Sequence, residues 1–134
     1  MCLLIQGNLI PTKTPTPSPD FCAAYSSLDT CNGSWWVEMR IKNTGSLPLK
    51  SVNISVKDKV TNVVQVALRD GFIDMDGCLK TKTKDILGVG DTYLLSAPAF
   101  NYDPTGHEIV VTITLCSDTG QKGLCLTRKF NITP

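Results

Sequence analysis

The amino-acid sequence predicts an all-β protein, folded as a β-sandwich of about seven antiparallel strands behind an extended N-terminal arm. Three observations predict this fold. Val, Ile and Thr recur in short runs, Gly and Pro interrupt these runs, and the helix formers Ala, Glu and Gln are scarce. The length of 134 residues suits one domain, which we place at residues 21–134.

The clearest strand is the stretch SWWVEMRIKN, in which two faces alternate. The phase that begins with Trp35 and Val37 is apolar as far as Ile41, which predicts a buried face. Trp36 falls in the other phase, together with Glu38. An exposed aromatic side chain can stack on a sugar or lie at a protein interface, so Trp36 is a candidate ligand or interface residue. The alternative, which we favour slightly, is that a cross-strand aliphatic neighbour or the Cys-rich loop covers this side chain.

Further strands are predicted around Cys22 and in the stretches LPLKSVNISVKD, NVVQVAL, TYLLSAP, HEIVVTITLC and LCLTRKFNIT, the last two forming a hairpin. The apolar phase slips near Lys50 and Ser51, which predicts a β-bulge or a bend between sheets. The stretch RDGFIDMDGCLKTKTKDILGVGD is expected to be irregular. The predicted core consists of Trp35, Val37, Met39, Ile41, Ile54, Val56, Leu94, Ile109, Val111, Ile113, Leu115, Leu126, Phe130 and Ile132.

The stretch SWWVEMRIKNTGSLPLKSVNISVKD, the Gly-Asp step in LGVGDTYLL and the terminal FNITP together resemble one group of bacterial surface modules. These are the extracellular immunoglobulin-like modules of the cell-adhesion-related, CARDB-like type. The resemblance covers about residues 22–133 and is carried by core and turn residues. It implies an immunoglobulin-like sandwich and a non-catalytic, extracellular module that spaces, adheres or assembles.

Six cysteines without a CxxC pair predict an oxidising compartment and a disulfide framework. On neighbouring strands Cys116 and Cys125 both point away from the predicted core, so a cross-strand bridge between them fits. For the others we favour a bridge from Cys31 or Cys22 to Cys78, which would pin the irregular stretch to the sandwich. Cys2 leaves two alternatives open, an odd thiol or a third bridge.

The N-terminal arm has two parts. Residues 1–10 form an apolar segment and residues 11–20 form a semi-rigid spacer rich in Pro and Thr. The apolar segment is interpreted as the stub of a signal or membrane anchor, as a lipid-attachment region, as a start without function, or as an assembly strand that pairs with a neighbouring subunit. The apolar residues of that strand would be Leu3, Leu4, Ile5, Leu9 and Ile10.

Three sequons, at Asn32, Asn53 and Asn131, are candidate glycosylation sites outside the cytoplasm. Metal binding has one candidate, the acidic group Asp70, Asp74 and Asp76 with Gly77. The spacing lacks the terminal glutamate of an EF-hand, so we interpret this stretch as a solvated acidic loop and expect no metal site.

The single histidine and the balanced charge argue against two classes of function, catalysis and nucleic-acid binding. The only histidine, His107, stands at a strand edge or turn without a nucleophile motif, so we expect neither catalysis nor a cofactor. The formal net charge is +1 and the charges are interspersed, which predicts no nucleic-acid partner. We expect an extracellular structural or adhesive cell-surface module that self-associates or binds surface proteins or glycans. In one version of this hypothesis the protein is a pilus-like filament subunit that assembles through its N-terminal arm. The alternative is a carbohydrate-binding module that uses Trp36.

Overall fold

The structure, a computed structural model, describes residues 16–134, and this part of the chain forms nine β-strands and no helix. The all-β prediction is therefore confirmed. The strands are β1 (Phe21–Cys31), β2 (Ser34–Asn43), β3 (Ser51–Asp58), β4 (Val64–Asp70), β5 (Phe72–Asp76), β6 (Leu79–Lys84), β7 (Thr92–Ser96), β8 (Ile109–Asp118) and β9 (Lys122–Ile132).

Two antiparallel sheets make up the sandwich. One has the strand order β1-β2-β7 and the other the order β4-β3-β8-β9, while β5 and β6 form a separate hairpin. In the lettering of immunoglobulin domains, the first sheet corresponds to strands A, B and E and the second to C′, C, F and G. The predicted immunoglobulin-like sandwich is confirmed, with the β5–β6 hairpin inserted between strands C′ and E.

The core lies between the two sheets and contains most of the predicted residues. Alternate side chains of β2, β3 and β8 are buried, as the period-two pattern requires. Two predicted core positions are wrong. Trp35 is only half-buried, and Leu94 lies on the opposite face of β7, because Met39 of β2 pairs with Leu95 and brings that residue into the core.

The chain changes sheet between β2 and β3, where the sequence predicted a bend. Leu49 exchanges two backbone hydrogen bonds with Leu87, and the next residue, Lys50, already donates its N–H to the carbonyl of Cys116 in the other sheet. The phase slip at Lys50 and Ser51 therefore marks the crossing from one sheet to the other.

The stretch predicted to be irregular contains the β5–β6 hairpin, so that prediction is wrong. Gly77 occupies the left-handed region (φ 57°) in its turn, and the hairpin lies against β7. The Tyr93 hydroxyl donates to the carbonyl of Lys82 at 3.0 Å, and the N–H of Met75 donates to Ser96 Oγ at 2.8 Å. Sequence periodicity missed β6 because its sequence, LKTKTK, alternates between two polar residue types.

Candidate functional site

Trp36 and Glu38 lie on the outer face of β2 and are both buried, because the β5–β6 hairpin covers this face. Their exposed fractions are 5% and 2%. The indole Nε1 of Trp36 donates to Glu38 Oε1 at 3.0 Å, and Ser96 Oγ lies 2.9 and 2.7 Å from the two carboxyl oxygens. Trp36 was predicted as an exposed ligand or interface residue. The structure favours the alternative of a covered side chain, since the indole is buried and its N–H is already bonded.

Burial raises the pKa of Glu38 from 4.5 to about 7. The hydrogen bonds from Ser96 and Trp36 favour the charged carboxylate and oppose this shift, while the negative charges of Asp74 and Asp29 add to it. Glu38 therefore titrates near neutral pH inside the fold. No sequence pattern predicted the burial of Glu38 or its raised pKa, because the burial comes from a hairpin that is distant in the chain.

The raised pKa of Glu38 predicts that stability falls as the pH rises. The folded state binds the proton more tightly than the unfolded state, so the contribution is complete below pH 4.5 and is lost as the pH rises through about 7. The lost free energy of unfolding is on the order of 3 kcal/mol. Glu38→Gln keeps the shape and removes the charge, so we expect it to flatten this decline in urea unfolding between about pH 5 and pH 8.

The matched control for this prediction is Glu108→Gln, which neutralises a glutamate whose side chain is 43% exposed beside Lys59. The control should retain the decline of stability with pH. A Glu38→Gln variant that declines as steeply as the unchanged protein would contradict the assignment of this titration to Glu38.

An acidic recess of about 510 Å³ opens beside Glu38. Its wall includes Asp29, Asp74, Asp76 and Lys82. Asp29 accepts the N–H of Gly77 at 2.8 Å and so fixes the hairpin turn over β1. These side chains hold the hairpin in place as much as they line the recess.

The acidic residues considered as calcium ligands do not come together. Asp70 accepts the N–H of Gly120 in the β8–β9 turn, whereas Asp74 and Asp76 face the acidic recess. Within residues 16–134, no group of three or more Asp, Glu, His or Cys side chains has a geometry that could hold a metal ion.

A second polar cluster surrounds the fully buried carboxylate of Asp58 at the end of β3. Asp58 Oδ2 accepts hydrogen bonds from His107 Nδ1 at 2.6 Å and from the Tyr102 hydroxyl at 2.8 Å. Its Oδ1 accepts the backbone N–H groups of Val60 and Thr61. His107 lies two residues before β8, at the strand edge, as predicted. The cluster ties the β3–β4 turn to the loop before β8.

Two disulfide bridges agree with the sequence analysis. Cys116 pairs directly with Cys125 across β8 and β9, as strand phase predicted. Cys31 joins Cys78, which settles in favour of Cys31 the choice left open between Cys31 and Cys22. This second bridge pins the turn of the β5–β6 hairpin to the end of β1. Cys22 is also disulfide-bonded.

The three sequons occupy different environments. Asn32 is exposed in the β1–β2 turn, Asn53 is half-buried on the outer face of β3, and Asn131 is exposed on β9 with its Nδ2 donating to Glu108 at 2.8 Å. Asn32 and Asn131 are therefore more accessible than Asn53. Glycosylation at these positions stays a prediction.

A row of exposed apolar side chains follows β4. This strand is at the edge of its sheet, and Val64, Val66 and Leu68 point outward with exposed fractions of 50%, 59% and 64%. Edge strands in natural proteins are normally protected by charges, proline or a covering element. An apolar row along an unpaired edge is therefore typical of a surface that contacts another protein.

No family model matches the chain, and no curated protein is significantly similar to it. The resemblance to CARDB-like modules therefore stays a prediction. The part of the chain that the structure describes holds no helix long and apolar enough to cross a membrane. Disulfide bridges such as Cys31–Cys78 and Cys116–Cys125 are typical of proteins folded in an oxidising, extracellular environment.

Proposed function

We propose that this protein is a non-catalytic, extracellular structural or adhesive module of the cell surface, and that it associates with a second copy through the free edge of β4. The observation that carries the proposal is the exposed apolar row Val64, Val66 and Leu68 on an edge strand. Edge-to-edge pairing satisfies free backbone groups and buries apolar side chains at the same time.

The sequence of β4, VQVALRD, suits pairing with itself. Antiparallel pairing centred on Ala67 sets Val66 of one copy opposite Leu68 of the other, and Gln65 opposite Arg69. Such a contact is isologous, because each copy offers the same surface. The two four-stranded sheets would then form one continuous sheet across the interface.

The extracellular setting is supported by several features. The disulfide bridges favour an oxidising compartment, and exposed sequons at Asn32 and Asn131 would be accessible to glycosylation. The resemblance to CARDB-like modules implies the same setting.

Two other proposals came from the sequence. In the first, the protein is a filament subunit whose residues Leu3, Leu4, Ile5, Leu9 and Ile10 complete the sheet of the next copy; these residues lie outside the part of the chain that the structure describes. The second, carbohydrate binding, relied on an exposed Trp36 and loses its support, because this indole is buried under the hairpin.

Removal of residues 1–15 distinguishes association through β4 from association through the N-terminal arm. We expect the full chain and the truncated chain to associate with the same concentration dependence in mass photometry, because β4 is intact in both. Association that disappears on truncation would contradict the β4 contact and favour the arm. Monomers in both cases would contradict both contacts and leave the arm as a tether.

A further inference from the structure

A groove of about 740 Å³ separates the two sheets on the side opposite β4. It lies between β1 and β9, and both strands have a sheet partner on one side only. At one end the sheets are joined by Arg128, which donates from Nε to the carbonyl of Phe21 at 3.0 Å and from Nη2 to Asp20 at 2.6 Å. Beyond this clamp the sheets stand apart.

The floor of the groove is an incomplete margin of the hydrophobic core. Ala23 and Tyr25 of β1 and Phe130 and Ile132 of β9 line it, and all four pack against the core while remaining partly exposed. Each has a buried side and a side facing the opening. A short apolar segment laid between β1 and β9 would complete the core, because it would remove these surfaces from water.

The cysteines indicate which segment this is. The sequence has six, and the bridges Cys31–Cys78 and Cys116–Cys125 use four of them. Cys22, next to the groove residue Ala23, is also disulfide-bonded, and Cys2 is the sixth cysteine. Cys2 is followed directly by Leu3, Leu4 and Ile5.

We propose that Cys2 of the same chain is the partner of Cys22, and that this bridge delivers Leu3, Leu4 and Ile5 into the groove. The arm then completes the sandwich from which it extends. This proposal goes beyond the proposed function and does not depend on the β4 contact. It assigns the apolar segment a place in its own domain, in contrast to the filament proposal, which assigns it to a neighbour.

The arm is long enough to return to its own domain. Residues 18–20 run beside residues 44–46, with the carbonyl of Asp20 accepting the N–H groups of Thr44 and Gly45. Residue 16 precedes Ala23 by seven positions, which correspond to roughly 23 Å of extended strand. Ten residues, the number between Ile5 and residue 16, would reach roughly 31 Å in a polyproline conformation. They include Gly7 and Asn8, residue types that favour turns.

Peptide mapping of the full chain under non-reducing conditions tests the bridge. The expected result is a Cys2–Cys22 peptide pair from the monomer band of a non-reducing gel. The same pair found only in covalent dimers or larger species would overturn the proposal, because the arm would then be exchanged between copies as the filament proposal requires. A free Cys2 thiol would also overturn it.

Hydroxyl-radical footprinting tests the occupancy of the groove. In the full chain, Tyr25 and Phe130 are expected to be labelled several-fold more slowly than in a variant carrying Leu3→Asp and Leu4→Asp. Leu124→Asp changes an exposed residue of β9 outside the groove and is the matched control, with labelling of Tyr25 unchanged. Equal labelling of Tyr25 and Phe130 in all three proteins would overturn the proposal, whatever the result for association through β4.

Discussion

Replacing Asp58 by alanine is expected to lower the free energy of unfolding by about 3–5 kcal/mol, among the largest effects of any single substitution in this protein. The carboxylate is fully buried and accepts four hydrogen bonds, from His107, Tyr102 and the backbone of the β3–β4 turn. Its removal takes the shared acceptor away from four donors that are held around a fully buried site, which costs more than the loss of one contact. The measurement is equilibrium urea unfolding at neutral pH.

The pKa of Asp58 predicts how the effect of Asp58→Ala on stability depends on pH. Burial alone would raise this pKa, but the hydrogen bonds from His107, Tyr102, Val60 and Thr61 together outweigh burial and lower it below 3.8. The stability that Asp58 contributes is therefore present above pH 3.8 and is lost as the pH falls through the lower folded-state pKa. The difference between the unchanged protein and Asp58→Ala should shrink accordingly in acid.

The matched control is Asp103→Ala, which removes an exposed aspartate whose hydrogen bonds go to Thr105 in its own turn. It should change stability far less than Asp58→Ala does. Equal unfolding midpoints for the two variants would contradict the role given to Asp58. Tyr102→Phe, which removes a single donor to the carboxylate, is expected to fall between them.

Replacing Cys31 and Cys78 by serine together is expected to cost about 4 kcal/mol, because this bridge closes a long loop of the unfolded chain. The two cysteines are 47 residues apart. The structural consequence is local, since the bridge pins the β5–β6 hairpin over Trp36 and Glu38. Loss of the bridge should shift the tryptophan fluorescence of the still-folded protein to longer wavelength as the indole gains access to water.

The second bridge supplies the comparison. Cys116 and Cys125 are only nine residues apart, so the same loop-closure argument gives about 2.5 kcal/mol for their double serine variant. That variant should leave the tryptophan emission unchanged, because Cys116 and Cys125 lie in the other sheet and do not hold the turn of the β5–β6 hairpin. A larger loss of stability for Cys116 and Cys125 than for Cys31 and Cys78 would contradict this account.

The sequence predicted those parts of the fold in which local pattern and burial agree. Apolar and polar residues alternate in β2, β3 and β8 because one face of each strand lies in the core. The direct pairing of Cys116 with Cys125 follows from the phase of the two strands. For β2, the sequence predicted the core-facing side correctly but not the burial of the other side. Its second face is also buried at Trp36 and Glu38, beside the distant β5–β6 hairpin, while Arg40 on the same face stays exposed.

The polar clusters could not be predicted from the sequence, because their members are far apart in the chain. Asp58 and His107 are separated by 49 positions, and Glu38 and Ser96 by 58. Neither pair belongs to a motif with fixed spacing. The β5–β6 hairpin was missed for a different reason, since its second strand alternates Lys with Thr and is placed by contacts with β7.

The central claim is that the module associates through the free edge of β4, and the most direct measurement is mass photometry of the full chain carrying Val66→Lys and Leu68→Lys. Both side chains point into solvent, so the substitutions leave the core unchanged while placing charges along the paired edge. The control is Ile86→Lys, at an exposed apolar residue away from β4. If the module associates through β4, the unchanged protein and the control form dimers and the β4 variant is monomeric. Dimers of undiminished stability in the β4 variant would contradict this claim.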